Sequence, residues 1–132
     1  MSYILAPVGG VAVLAALVSG GAMTGADLAH PFWQARASVT GGAIGAVLAI
    51  GLVWLTARRP GSLWIVSVGA LLALPASLAV TWRAARTFID SADFEPLAGR
   101  VWFLGYHAVA ALVVLGAALA IIALRRRVVR RA

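Results

Sequence analysis

The chain has 132 residues, 63% of them hydrophobic and 11% charged, with a mean hydropathy of +0.99. A water-soluble domain of this length has too little interior to hide so much apolar surface, so an ordinary soluble fold is excluded and lipid is the expected solvent. The net charge of +7 comes from eleven arginines that flank apolar stretches, a pattern of membrane topology rather than nucleic-acid binding, and with no cysteine there are no disulfides, thiolate metal sites or cysteine nucleophiles.

Four stretches carry no charge: 1–26, 37–57, 60–82 and 101–124. Each is long enough for the roughly 20 helical residues that cross a hydrocarbon core. Continuous apolar runs without alternation indicate helices rather than barrel strands. The expectation is an all-α integral membrane protein, one membrane domain over residues 1–132, folded as an antiparallel four-transmembrane-helix bundle with spans at about 4–23, 39–57, 63–82 and 101–124.

The first span has no basic region before it, so it reads as a retained helix rather than a cleaved signal. It offers Ala12, Ala16 and Gly20 at four-residue spacing as a surface for close helix packing. The connection after it, "ADLAHPFW", holds Asp27, His30 and Pro31. Proline suits a first helical turn, so the second helix can begin as early as 31. That helix contains "GGAIG", whose Gly41 and Gly45 form a GxxxG pair continued by Ala49, usable inside the bundle or for self-association.

The tight turn "TARRPGS" places Arg58 and Arg59 between Trp54 and Trp64. Pro75 should bend the third span, because a carbonyl one turn earlier loses its N–H partner. Beyond that span, Arg83, Arg86 and Asp90 recur at helical spacing, so the helix is expected to overrun the membrane. The connection "SADFEPLAGR" follows, with Asp93, Glu95 and a second helix-starting proline, Pro96. The fourth span lines up His107, Ala110, Ala111 and Ala118 on one face and ends in "LRRRVVRRA".

Arginine counts give the orientation. One side holds Arg58, Arg59, Arg125, Arg126, Arg127, Arg130 and Arg131, with no acid. The other holds Arg36, Arg83, Arg86 and Arg100 beside all four acids. Both termini are therefore expected in the cytoplasm, with the seven arginines anchoring the chain to anionic lipid. Trp33, Trp82 and Trp102, near outer helix ends, read as interfacial belt residues, like Trp54 and Trp64. Abundant alanine, glycine and arginine without lysine suggest a bacterial inner membrane.

Chemistry, if present, belongs at the outer end, where all four acids and both histidines fall. His107 can bind haem, a metal or a quinone headgroup, with His30 as the only other histidine. Asp27, His30 and His107 form one candidate metal set, although no recognised ligand spacing is present. Asp90, Asp93 and Glu95 are candidates for docking a basic partner, unless Arg83, Arg86 and Arg100 neutralise them. No ionisable residue falls in mid-membrane, which argues against coupled transport. No catalytic constellation and no resident cofactor are expected. The leading reading is a small non-catalytic subunit that stabilises a larger membrane complex, possibly of energy conversion. The alternatives are a haem-, metal- or quinone-binding protein using His107, and an oligomeric small transporter or channel assembled through Gly41 and Gly45.

Overall fold

The computed structural model describes residues 2–30, 32–59 and 61–131, and the side chains of 4–30, 32–59 and 61–129. Among them every regular element is helical: α1 (Ser2–Ser19), α2 (Ala22–Gly25), α3 (Gln34–Arg58), α4 (Ser62–Asp90) and α5 (Pro96–Arg131). Three of these, α3, α4 and α5, are long and apolar enough to cross a membrane, as expected of a multi-pass membrane protein. In lipid such helices are stable because each satisfies its own amides along its length.

Helix boundaries follow local chemistry. α1 stops where Gly20 and Gly21 interrupt it, Gly21 taking the left-handed φ of 75° that side chains resist. The single first helix expected to run to about residue 23 is thus an 18-residue helix and a separate turn, α2. α3 starts at Gln34, after Trp33; Pro31, the expected earliest start, lies outside the described residues. α4 runs unbroken through Pro75 to Asp90, and α5 begins at Pro96, so the overrun of the third helix and the proline start of the fourth are both present. Ser91 joins them: its hydroxyl donates to the Phe88 carbonyl at 2.9 Å and accepts the Glu95 N–H at 2.9 Å.

Close approaches set the directions of the helices. Gly41 backs onto His107 and Ala110, and Gly45 onto Ala111 and Val114, so α3 and α5 run parallel. Thr81 covers Gly105 and Phe88 covers Gly99, so α4 runs antiparallel to α5. Gly10 touches Val114 and Gly9 touches Ile121, so α1 also opposes α5. Ala6, Ala49, Val53 and Ala118 pack in one cluster, bringing the start of α1, the end of α3 and the last third of α5 to the same end of the molecule. Arg126 donates to the Thr56 carbonyl at 2.9 Å there, satisfying one of the carbonyls that a helix end leaves open.

The arrangement is not a closed square of four helices. α5 is the hub: α1 and α3 pack on it and on each other, while α4 packs mainly along α5, touches α3 briefly and makes no close backbone approach to α1 among the described residues. Buried residues of α4 are confined to Thr81, Ala84 and Ala85 near its far end. The physical reason lies in the small residues. Gly41, Gly45 and Ala49 let α3 sink onto α5, whereas Gly51 and Gly69 meet nothing within 4 Å.

Candidate functional site

The end of the molecule opposite the arginine clusters is closed by aromatic rings drawn from the connection before α3, from α4 and the connection after it, and from α5. The connection after α2 turns at Asp27, whose φ of 55° is left-handed, and then buries Leu28. The Leu28 carbonyl accepts the Trp102 Nε1–H at 2.9 Å, so α5 fixes this connection directly. His30 follows, stacked on Trp33 at 5.3 Å and 7° and edge-on to Trp102 at 5.0 Å. Its Nδ1 accepts the Phe32 N–H at 3.2 Å, so the neutral ring carries its proton on Nε2.

Trp33 extends the network edge-to-face onto Trp102 at 5.5 Å, Phe103 at 5.2 Å and Tyr106 at 5.4 Å. Phe88 of α4 joins Trp102 at 5.8 Å and Phe94 at 5.5 Å, and Phe94 itself holds a left-handed φ of 49°. Pairs of this geometry contribute about 0.5–1.5 kcal/mol each beyond area burial. Below them the Tyr106 and Ser38 hydroxyls are hydrogen-bonded at 2.9 Å in the buried seam between α3 and α5. Ring contacts and two buried hydrogen bonds thus tie the described residues of this end to α5.

The two histidines occupy different surroundings. His107 lies one turn below Phe103, against whose ring it packs at 4.5 Å and whose carbonyl faces its Nδ1 at 2.8 Å. Its backbone, not its ring, is what Gly41 approaches, and its side chain is only half buried. No ring contact joins His30 to His107; the path between them runs through Trp33 and Phe103. Asp27 is engaged elsewhere, in an ion pair with Arg86 that ties the first connection to α4. Asp27, His30 and His107 accordingly do not come together: no group of three metal-ligating side chains occurs among the described residues.

Arg83, Arg86 and Arg100 form no ion pair with the acidic connection among the described residues. Arg86 reaches back to Asp27, while Asp90, Asp93 and Glu95 are exposed and make no ion pair among the described residues. Their carboxylates remain free on the surface.

Of the expected packing residues, Gly41, Gly45 and Ala111 meet in the seam between α3 and α5. That seam is filled within the chain by α5. Gly20 is different. It is exposed, and a Cβ there would meet only its own helix at the Ala16 carbonyl. The row Ala12, Ala16 and Gly20 faces outward, and α1 packs instead through Ala6, Gly10 and Leu14, a second row with the same spacing.

Among the anchoring arginines, Arg58 lies over the Trp54 ring at 4.0 Å, and Arg59, Arg125 and Arg127 are exposed. Arg126 is half-buried on Thr56, and the side chains of Arg130 and Arg131 lie outside the described residues. Trp54, Trp64 and Trp82 are exposed, whereas Trp102 is only 4% exposed and half-buried Trp33 forms the hub of the ring network. Helical spacing carried the signal, because Trp102 shares a face with Tyr106, Val109 and Ala110, all buried. Comparison of the chain with protein-family models, curated proteins and solved structures finds no match.

Proposed function

We propose that this chain is a small integral membrane subunit, without catalysis of its own, that packs against a larger membrane complex and stabilises it. In this reading it crosses the bacterial inner membrane four times with both termini in the cytoplasm, α1 being the shortest crossing. The observation that carries the reading is the state of α4. None of its most apolar 18-residue segment is buried, against 39% for α3 and 33% for α5. Trp64, Ile65, Leu71 and Leu72 stand 66–74% exposed along it. A helix held on one stripe only, beside an aromatic cap with free carboxylates, suits attachment to a neighbour.

A photo-crosslinking residue at Leu72 should capture a defined membrane protein in cells, while the same residue at Ile44, exposed on α3, should not. Recovery from mild detergent as a stable lone monomer, with no adduct at Leu72, contradicts the proposal. An assembly of energy conversion is one candidate for the complex.

A second reading, His107 as a ligand, draws support from one contact. A Nδ1–H donated to the Phe103 carbonyl leaves Nε2 as the lone pair, the tautomer that ligating histidines use. If it binds haem, the purified protein has a Soret band that His107→Ala removes; a spectrum with no such band in protein made with haem available ends this reading.

A further inference from the structure

On the surface of the aromatic end, a groove of about 440 Å³ is lined by Trp33, Pro96, Gly99, Arg100, Phe103 and Leu104. Pro96, Arg100 and Leu104 are spaced by four residues and so lie in one row down α5, with Gly99 and Phe103 in the next. Along that row Arg100 stands one turn beyond Pro96, and apolar Leu104 lies one turn deeper. Arg100 is exposed and makes no ion pair or hydrogen bond among the described residues, although three carboxylates stand within ten residues of it. Trp33 forms the opposite wall, held by His30, Trp102, Phe103 and Tyr106. No carboxylate lines this groove.

A second groove, about 280 Å³ between α4 and α5, makes an internal contrast. It also carries one arginine, Arg83, but Glu95 lines it too, so its two charges oppose each other.

We propose that the Arg100 groove binds one anionic phospholipid. The Arg100 guanidinium takes the phosphate, and an acyl chain follows Phe103 and Leu104 down α5 against the edge of Trp33. A zwitterionic lipid presents the same phosphate, but its cationic headgroup cancels the attraction that an unopposed arginine offers. Arginine suits the task because its planar fork donates to two phosphate oxygens at once. The Arg83 groove, neutral overall, shows no such preference. The proposal rests on the reading that the chain spans a membrane with this end at headgroup level.

The test uses the full chain with Trp54, Trp64 and Trp82 replaced by phenylalanine, which leaves half-buried Trp33 and shielded Trp102. In nanodiscs of phosphatidylcholine with a fixed fraction of phosphatidylglycerol, one lipid or the other carries bromines at acyl positions 6 and 7. Per molecule, brominated phosphatidylglycerol should quench Trp33 about fivefold more than brominated phosphatidylcholine, the enrichment one arginine near anionic lipid supports. Arg100→Gln should bring the two to parity, while Arg100→Lys and Arg83→Gln should keep the preference. Arg100 and Arg83 are both exposed, so these variants should retain the parent's helical content. Equal quenching by both lipids in the parent, a preference surviving Arg100→Gln, or an equal loss in Arg83→Gln overturns the site. If neither lipid quenches even the chain with all five tryptophans, the membrane reading falls with it.

Discussion

The seam between α3 and α5 makes the sharpest stability prediction, at Gly45. An added Cβ there would sit 2.6 Å from the Ala111 carbonyl oxygen, 2.8 Å from Val114 Cβ and 2.9 Å from Ala111 Cα. Two of those atoms are backbone, so no side-chain rotation relieves the clash. Ordinary contact begins at 3.4 Å, about 0.8 Å beyond the carbonyl distance, and α3 must withdraw by that order. Withdrawal also loosens Gly41 from His107 and Ala110 in the same seam. Overpacking of this kind costs about 1–3 kcal/mol, and alanine's higher helix propensity returns up to about 1 kcal/mol. Gly45→Ala should therefore lose up to about 2 kcal/mol net, and fall about 1–3 kcal/mol below a glycine-to-alanine change made where there is room. Gly51→Ala, where a Cβ meets nothing within 4 Å, should be neutral or gain up to about 1 kcal/mol. Unfolding followed by helical circular dichroism, as SDS is titrated into mild-detergent micelles, measures both. Size-exclusion chromatography should show the same oligomeric state for the pair. A Gly45→Ala variant as stable as Gly51→Ala refutes the packing argument.

Four further substitutions test the cap by the same titration. Tyr106→Phe removes the buried bond to Ser38 and should cost about 0.6–1.7 kcal/mol; adding Ser38→Ala should cost little more, and fully additive losses would contradict the pairing. Trp102→Phe leaves the Leu28 carbonyl without its indole donor and should cost about 1–3 kcal/mol, so an unchanged midpoint contradicts that bond. Asp27→Asn should cost less than about 1 kcal/mol and nothing in 1 M salt, because Arg86 and Asp27 are 47% and 52% exposed; a larger, salt-resistant loss would mean the pair is shielded.

What the sequence disclosed, and what it hid, divides along physical lines. Charge-free runs of helical length locate the long helices because burial in lipid acts on every residue of a span. Pro96 and the helical spacing of Arg83, Arg86 and Asp90 disclose how far α4 and α5 extend, since these are local signals. The partner of a given face is not local. α1 carries small residues on more than one face, and only the shape of α5 at Val114 and Ile121 selects Gly10 and Gly9 over Gly20. Trp102 carried a legible signal, its helical spacing to Tyr106, Val109 and Ala110, whereas nothing local in the sequence marks Trp33 as the hub of the ring network. Arg86 illustrates the same limit. Acids stand close to it in sequence, yet the fold gives it Asp27, on a connection 59 residues away.

The account stands or falls on topology, and the absence of cysteine makes that directly measurable. Single substitutions Ala92→Cys, in the acidic connection, and Gly61→Cys, in the arginine turn, fall on exposed positions at opposite ends of the molecule. A membrane-impermeant maleimide applied to intact bacterial cells should label Ala92→Cys at once and Gly61→Cys only after the membrane is opened. The reverse pattern, or labelling of both from outside, would contradict a four-span chain with its arginine-rich ends in the cytoplasm.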